Sequence, residues 1–151
     1  MSEAKLTSTG GEKTASAIRT SPEGDARFTF VYAPGAGSNI NDPFGDYLSS
    51  RLRAAGCSLV RFQFPYMEAG KRGPDRAPLL EKTWRAVIDT VRPSSGKLVV
   101  GGRSMGGRIA SRVVAQGTKV DGLALLAYPL NPPRTPATPR NGHLPDIAVP
   151  T

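Results

Sequence analysis

Apolar residues in this chain fall into short runs that alternate with stripes at helical spacing. Arg27–Ala33 carries Phe28, Phe30, Val31 and Tyr32, a β-branched and aromatic run that predicts a buried strand. It leads into Pro34-Gly35-Ala36-Gly37-Ser38-Asn39, a Gly-rich loop. Asp42 followed by Pro43 predicts a helix start with Asp42 as N-cap. Phe44, Tyr47, Leu48, Leu52 and Ala55 then recur at helical spacing until Gly56. Leu59–Phe64 alternates, with Val60, Phe62 and Phe64 to one side and Leu59, Arg61 and Gln63 to the other. This predicts a strand with one face less buried, near a sheet edge. Pro65 ends it, and Met67–Ala77 reads as a polar loop over a pocket mouth. A helix between Pro78 and Pro93 carries the stripe Leu80, Trp84, Val87, Ile88 and Val91, with Trp84 a core anchor. Leu98–Val100 is a strand. Met105–Gln116 is a helix with Ile109, Ala110, Val113 and Val114 inward, and Gly122–Tyr128 is a fully buried strand.

The two ends differ from this middle. Residues 1–13 are polar and aperiodic and are expected to lack regular structure. Thr14–Thr20 suits a short edge strand. Pro129–Thr151 holds seven of the fourteen prolines, which leaves room for neither a helix nor a ladder strand. Its end, Ile147–Thr151, resembles the approach to one more strand. The expected organisation is therefore a disordered or edge segment over 1–25 and a single α/β domain over 26–151. Within that domain, 128–151 is a Pro-rich loop leading to a missing strand. Strand–helix alternation predicts a mostly parallel sheet of four to five strands with helices on both faces.

Composition narrows the function classes. The net charge is +8. The arginines are scattered, as at Arg19, Arg27, Arg51, Arg53, Arg61 and Arg112, with no basic run, metal-finger spacing or RNA-binding aromatic motif. A solvated basic surface is expected rather than a nucleic-acid partner. One cysteine, Cys57, permits no intrachain disulfide and suits a reducing compartment, where it reads as a small buried apolar residue. No run is long enough to span a membrane, and Met1–Gly11 has no signal-peptide core, so the cytoplasm is expected.

The candidate chemistry lies in Lys97-Leu98-Val99-Val100-Gly101-Gly102-Arg103-Ser104-Met105-Gly106-Gly107-Arg108. A strand runs into Gly102-x-Ser104-x-Gly106, and a helix follows. That is the form of a nucleophile elbow, in which a tight turn lifts a serine hydroxyl above the sheet. Small residues two before and two after the serine suit a turn too tight for side chains. The Met105 N–H would face an oxyanion. A Gly-rich strand-to-helix connection or a phosphate-binding turn is the competing reading. Neither Gly35–Gly37 nor Gly101–Gly107 carries the Lys-Ser/Thr of a P-loop or a dinucleotide fingerprint.

Together with Pro34-Gly35-Ala36-Gly37, Tyr128-Pro129-Leu130 and His143-Leu144-Pro145-Asp146-Ile147, this stretch resembles the α/β-hydrolase superfamily. More narrowly, it is similar to its small dienelactone-hydrolase-like branch, which joins bacterial predicted hydrolases to testis-expressed and chromatin-associated animal relatives. The likeness runs from Phe28 to Thr151. It implies Ser104 as nucleophile and an oxyanion hole from the N–H groups of Met105 and Ala36. It also implies Gly35, Gly37, Gly102 and Gly106 as loop and elbow glycines, and no metal or cofactor. The implied strand order places the Leu59 strand outside, then the Phe28, Leu98 and Gly122 strands. Two departures stand out. Pro34-Gly35 replaces the His-Gly of many relatives. The acid and histidine that follow the serine in the family's order would lie beyond Thr151, about 35–45 residues further at typical element lengths.

The expected function is thus a serine hydrolase acting on a small ester, thioester or amide through an acyl-enzyme at Ser104, weak or inactive for want of triad partners. The alternative is a non-catalytic truncated fragment or protein-interaction scaffold, self-associating through an open sheet edge. Of the possible substitutes, His143 reads as a satisfied loop histidine, Asp121 as a residue at the wrong sheet end, Asp146 as a loop residue and Asp42 as an N-cap.

Overall fold

The computed structural model describes residues 2–9, 14–135 and 138–151, with side chains from residue 14 onward. Residues 1 and 10–13 of the segment expected to lack regular structure, and Pro136 of the Pro-rich stretch, lie outside the described residues.

Six strands form one sheet: β1 (Ser2–Thr9), β2 (Thr14–Ser21), β3 (Phe28–Ala33), β4 (Ser58–Phe62), β5 (Lys97–Arg103) and β6 (Gly122–Leu126). Their order is β1-β2-β4-β3-β5-β6. The last four are parallel, in the order the resemblance implied, and β1 and β2 add an antiparallel hairpin outside β4.

That hairpin corrects three expectations. Ser2–Thr9, expected to be irregular, is a strand paired along its length with β2. Strand β2 lies between two neighbours instead of at an edge. Strand β4, expected near an edge, is buried at every position because β2 covers it. The sheet accordingly has six strands rather than four or five.

The helices are α1 (Pro43–Ala54), α2 (Pro65–Glu68), α3 (Ala77–Val91) and α4 (Met105–Ala115). Two cores result. On one face Val31, Ala33, Val60, Phe62 and Val100 pack against Trp84, Val87, Ile88, Ile109 and Val113, so α3 and α4 cover it. On the other, Phe30, Tyr32 and Leu59 pack against Phe44, Leu48 and Leu52 of α1. The predicted stripes of α3 and α4 are buried throughout. On α1, Tyr47 is exposed and the small residues Gly45 and Ser49 face the sheet instead. There Gly45 lies against the Arg61 side chain and the Tyr32 ring. Cys57 is buried, as expected of a small apolar residue.

Strand β6 is only half covered: Gly122 and Leu123 are buried, while Ala124, Leu125 and Leu126 are partly exposed. This differs from the fully buried strand expected, and the reason is its place at the end of the sheet order. The Pro150 carbonyl accepts a 3.0 Å hydrogen bond from the Leu123 N–H, so the tail begins to line β6. The only regular piece among the described residues after β6 is a 3-10 turn at Leu144–Asp146. No described helix is long and apolar enough to cross a membrane.

Candidate active site

Strand β5 ends at Arg103 and α4 begins at Met105, so Ser104 alone makes the turn between them. Its backbone sits at φ 52° and ψ −119°. Side chains rarely adopt such dihedrals, which cost about 1–3 kcal/mol and persist where the surroundings over-determine them. Here the surroundings are tight. A Cβ on Gly102 would overlap the Ala33 carbonyl oxygen, and one on Gly106 would fall on the carbonyls of Ala33 and Pro34. On Gly107 it would overlap the Gly102 carbonyl, and on Gly101 that of Ala124. The glycines are thus required by close backbone approach, which lets α4 pack directly on the ends of β3 and β5. Two hydrogen bonds pin the turn: Ser104 N–H to the Leu126 carbonyl at 2.8 Å, and Arg108 N–H to the Ser104 carbonyl at 3.0 Å. Ala127, next to Leu126, is a second non-glycine residue at positive φ, 49°.

From below, Trp84 Nε1 donates to the Gly106 carbonyl at 3.1 Å, and Trp84 has no exposed surface. From above, the Gly35–Ser38 turn approaches. It closes through Ser38 N–H to the Gly35 carbonyl at 3.1 Å. A Cβ on Gly35 would sit 3.6 Å from that of Ser104. Gly37, grouped with the required glycines by sequence, faces open space, and its φ is not in the left-handed region. A cavity of about 320 Å³ lies between this turn, Asp42, Arg103 and Ser104.

Ala36 lines that cavity, and Met105 directly follows Ser104. Met105 opens α4, where a backbone N–H has no intrahelical acceptor. Among the described residues, no acceptor meets the Ala36 N–H.

Side chains that the sequence did not single out hold the loop bearing Ala36. Tyr66 Oη donates to the Ala36 carbonyl at 2.7 Å, and burial, reinforced by nearby Asp75, pushes the Tyr66 hydroxyl up to about 12. Gln63 Oε1 accepts from the Ile40 N–H at 3.0 Å. Arg61 Nη1 donates to the Ile40 carbonyl at 3.2 Å and to Asp46 Oδ1 at 2.6 Å. Arg61, counted with the solvated arginines by sequence, is in fact buried, its side chain 6% exposed. The signal for it was its position inside an apolar strand.

Asp42 lines the same cavity as Ser104, but both its oxygens are occupied. Oδ1 caps α1 at the Phe44 N–H, and Oδ2 accepts from Tyr32 Oη at 2.7 Å. Burial and that hydrogen bond to Asp42 raise the Tyr32 pKa well above the usual phenol value. His143 does not reach Ser104. Its Nε2 lies 2.7 Å from the hydroxyl of Ser111, two turns along α4. Burial, followed by the Arg112 and Arg108 charges, holds His143 below its usual value, so it is neutral at pH 7. Asp121 accepts from the Leu98 N–H at the far end of the sheet. Asp146 sits in the 3-10 turn. Among the described residues, no side chain hydrogen-bonds the Ser104 hydroxyl, and no cluster of His, Cys, Asp and Glu is fit to hold a metal ion.

The elbow, its glycines and the facing loop follow the parallel strands of a mixed sheet, and residues 26–151 match the family model of the alpha/beta hydrolase domain. The chain belongs to that family. Among solved structures it is similar to an alpha-beta serine hydrolase homologue from Coxiella burnetii, at 23% identity and a TM-score of 0.72, covering 86% of this chain and 65% of that one. It is similar also to an alpha/beta serine hydrolase without a lid from Xanthomonas campestris, at 22% identity and a TM-score of 0.74, with 86% and 63% covered. A dienelactone hydrolase from Anabaena variabilis aligns at 21% identity and a TM-score of 0.65, over 82% and 61%. At these identities the likeness is one of fold. This alpha/beta hydrolase chain spans less than two thirds of the length of those structures. No curated protein matches it.

Proposed function

We propose that this alpha/beta hydrolase chain acts through Ser104 on a small ester, thioester or amide. The observation that carries the reading is the Ser104 backbone, held at φ 52° between glycines whose Cβ atoms the fold forbids. Such strain is kept where a site uses it. In the proposed reaction, Ser104 Oγ bonds to the acyl carbon and gives up its proton to solvent water. The resulting oxyanion is met by the N–H groups of Met105 and Ala36. The bond to the leaving group then breaks, the leaving group takes a proton, and water hydrolyses the acyl-enzyme. No base partners Ser104 among the described residues, and a serine hydroxyl without one is a weak nucleophile. Turnover by this chain alone is therefore slow.

A specific observation favours a second reading, a non-catalytic scaffold: the single histidine is occupied by Ser111, away from the cavity. Release of a chromogenic short-chain ester's leaving group separates the two. The hydrolase reading expects slow, saturable release above the buffer rate that Ser104→Ala abolishes. Equal rates for both proteins would favour the scaffold.

A further inference from the structure

A second cavity, of about 540 Å³, lies between α4 and the tail that follows β6, and shares no lining residue with the one beside Ser104. Its walls carry Arg108, Arg112, Arg140 and His143, with Pro139 and Gly142 from the tail. We propose that this cavity is a binding site for a phosphoryl group, as inorganic phosphate or on a small phosphorylated molecule.

The charges in the cavity are poorly balanced. Glu81, which is not itself part of the lining, accepts from Arg112 Nε at 2.6 Å and from Gln116 Nε2 at 3.2 Å, so its carboxylate is already engaged. Asp146 acts on His143 from the turn that follows it. Glu81 acts on Arg108 as well, but the Arg108 Nε is buried and meets no acceptor among the described residues. A buried guanidinium N–H left unpaired is costly and is ordinarily satisfied. Desolvation and the neighbouring Arg140 and Arg112 charges disfavour its cation, which adds to the case for an anion beside it. Three guanidiniums offer several N–H donors in planar forks, the geometry that matches phosphate oxygens. A concave wall lined by three arginines suits a small anion, whereas a nucleic-acid backbone calls for an extended stripe.

Inorganic phosphate titrated into the whole 151-residue chain at low ionic strength, followed by calorimetry and by the NMR signals of the single histidine, tests the proposal. Saturable one-to-one binding is expected, with His143 resonances shifting along the same isotherm, and acetate binding about tenfold more weakly or less. Arg108→Met is expected to weaken phosphate binding about tenfold or more, and Ser104→Ala to leave it unchanged. Arg140→Gln removes a charge from the tail, outside any helix or strand, so it reads the site even if Arg108→Met misfolds. Binding without a His143 shift, or unchanged affinity in Arg140→Gln, overturns the proposal. So does binding lost in Ser104→Ala, which would place the phosphate at the elbow. The outcome is independent of whether Ser104 turns over an ester.

Discussion

Trp84 Nε1 donates to the carbonyl of Gly106, joining the centre of α3 to the first turn of α4, two residues after Ser104. The chain's single tryptophan is thus both a core anchor and a brace for the elbow. Trp84→Phe removes the donor, leaves a buried carbonyl short of a partner and shrinks the core. A loss of about 1–3 kcal/mol is expected, seen as a melting temperature lower by several degrees in calorimetry.

The strain at Ser104 is measurable as stability. Glycine adopts positive φ freely, whereas alanine does not. Ser104→Gly is therefore expected to exceed Ser104→Ala in stability by about 1 kcal/mol in denaturant titrations, after the greater unfolded-state freedom of glycine is offset. Equal stability would show that the elbow stores no strain.

Two kinds of glycine meet near the site. Gly106→Ala would drive a methyl into the backbone of Ala33 and Pro34, which cannot move without opening the β3–β5 pair. Destabilisation of about 3 kcal/mol or failure to fold is expected. Gly37→Ala meets only space and no left-handed φ. Its melting temperature should stay within about a degree or two of the parent.

His143 supplies a pH signature. Its pKa lies below the ordinary 6.5 through burial and the positive charges of Arg112 and Arg108. A histidine lowered by folding binds its proton more readily in the unfolded chain. Its contribution is therefore full above 6.5, falls as pH drops through 6.5, and levels off beneath the folded value. NMR titration of the single imidazole should give a midpoint under 6.5, and Arg112→Met should raise it.

Much of the parallel half was legible because its signals are local. Leu98–Val100, Ser104 flanked by glycines, and the stripe from Ile109 to Val114 each declare an element within a dozen residues. The strand order came from family likeness and the sheet bears it out. What escaped depends on distant partners. The β4 edge is closed by a hairpin built from a polar N-terminal segment whose strand character comes from pairing, not from an apolar pattern. Arg61 is buried because Asp46 and the Ile40 carbonyl, on another element, receive it. The polar loop expected over Met67–Ala77 gives no hint that Pro65 starts a short helix just before it, which aims the Tyr66 hydroxyl at Ala36. His143 was correctly read as a satisfied loop histidine, but its partner Ser111 had no sequence signal.

The most direct measurement is intact mass after incubation with a fluorophosphonate, on the parent chain, Ser104→Ala and His143→Ala, each shown to be folded. A formed elbow with an accessible serine predicts one slowly forming adduct on the parent and on His143→Ala, and none on Ser104→Ala. No adduct on the parent, or one that survives Ser104→Ala, would contradict a role for Ser104 as nucleophile.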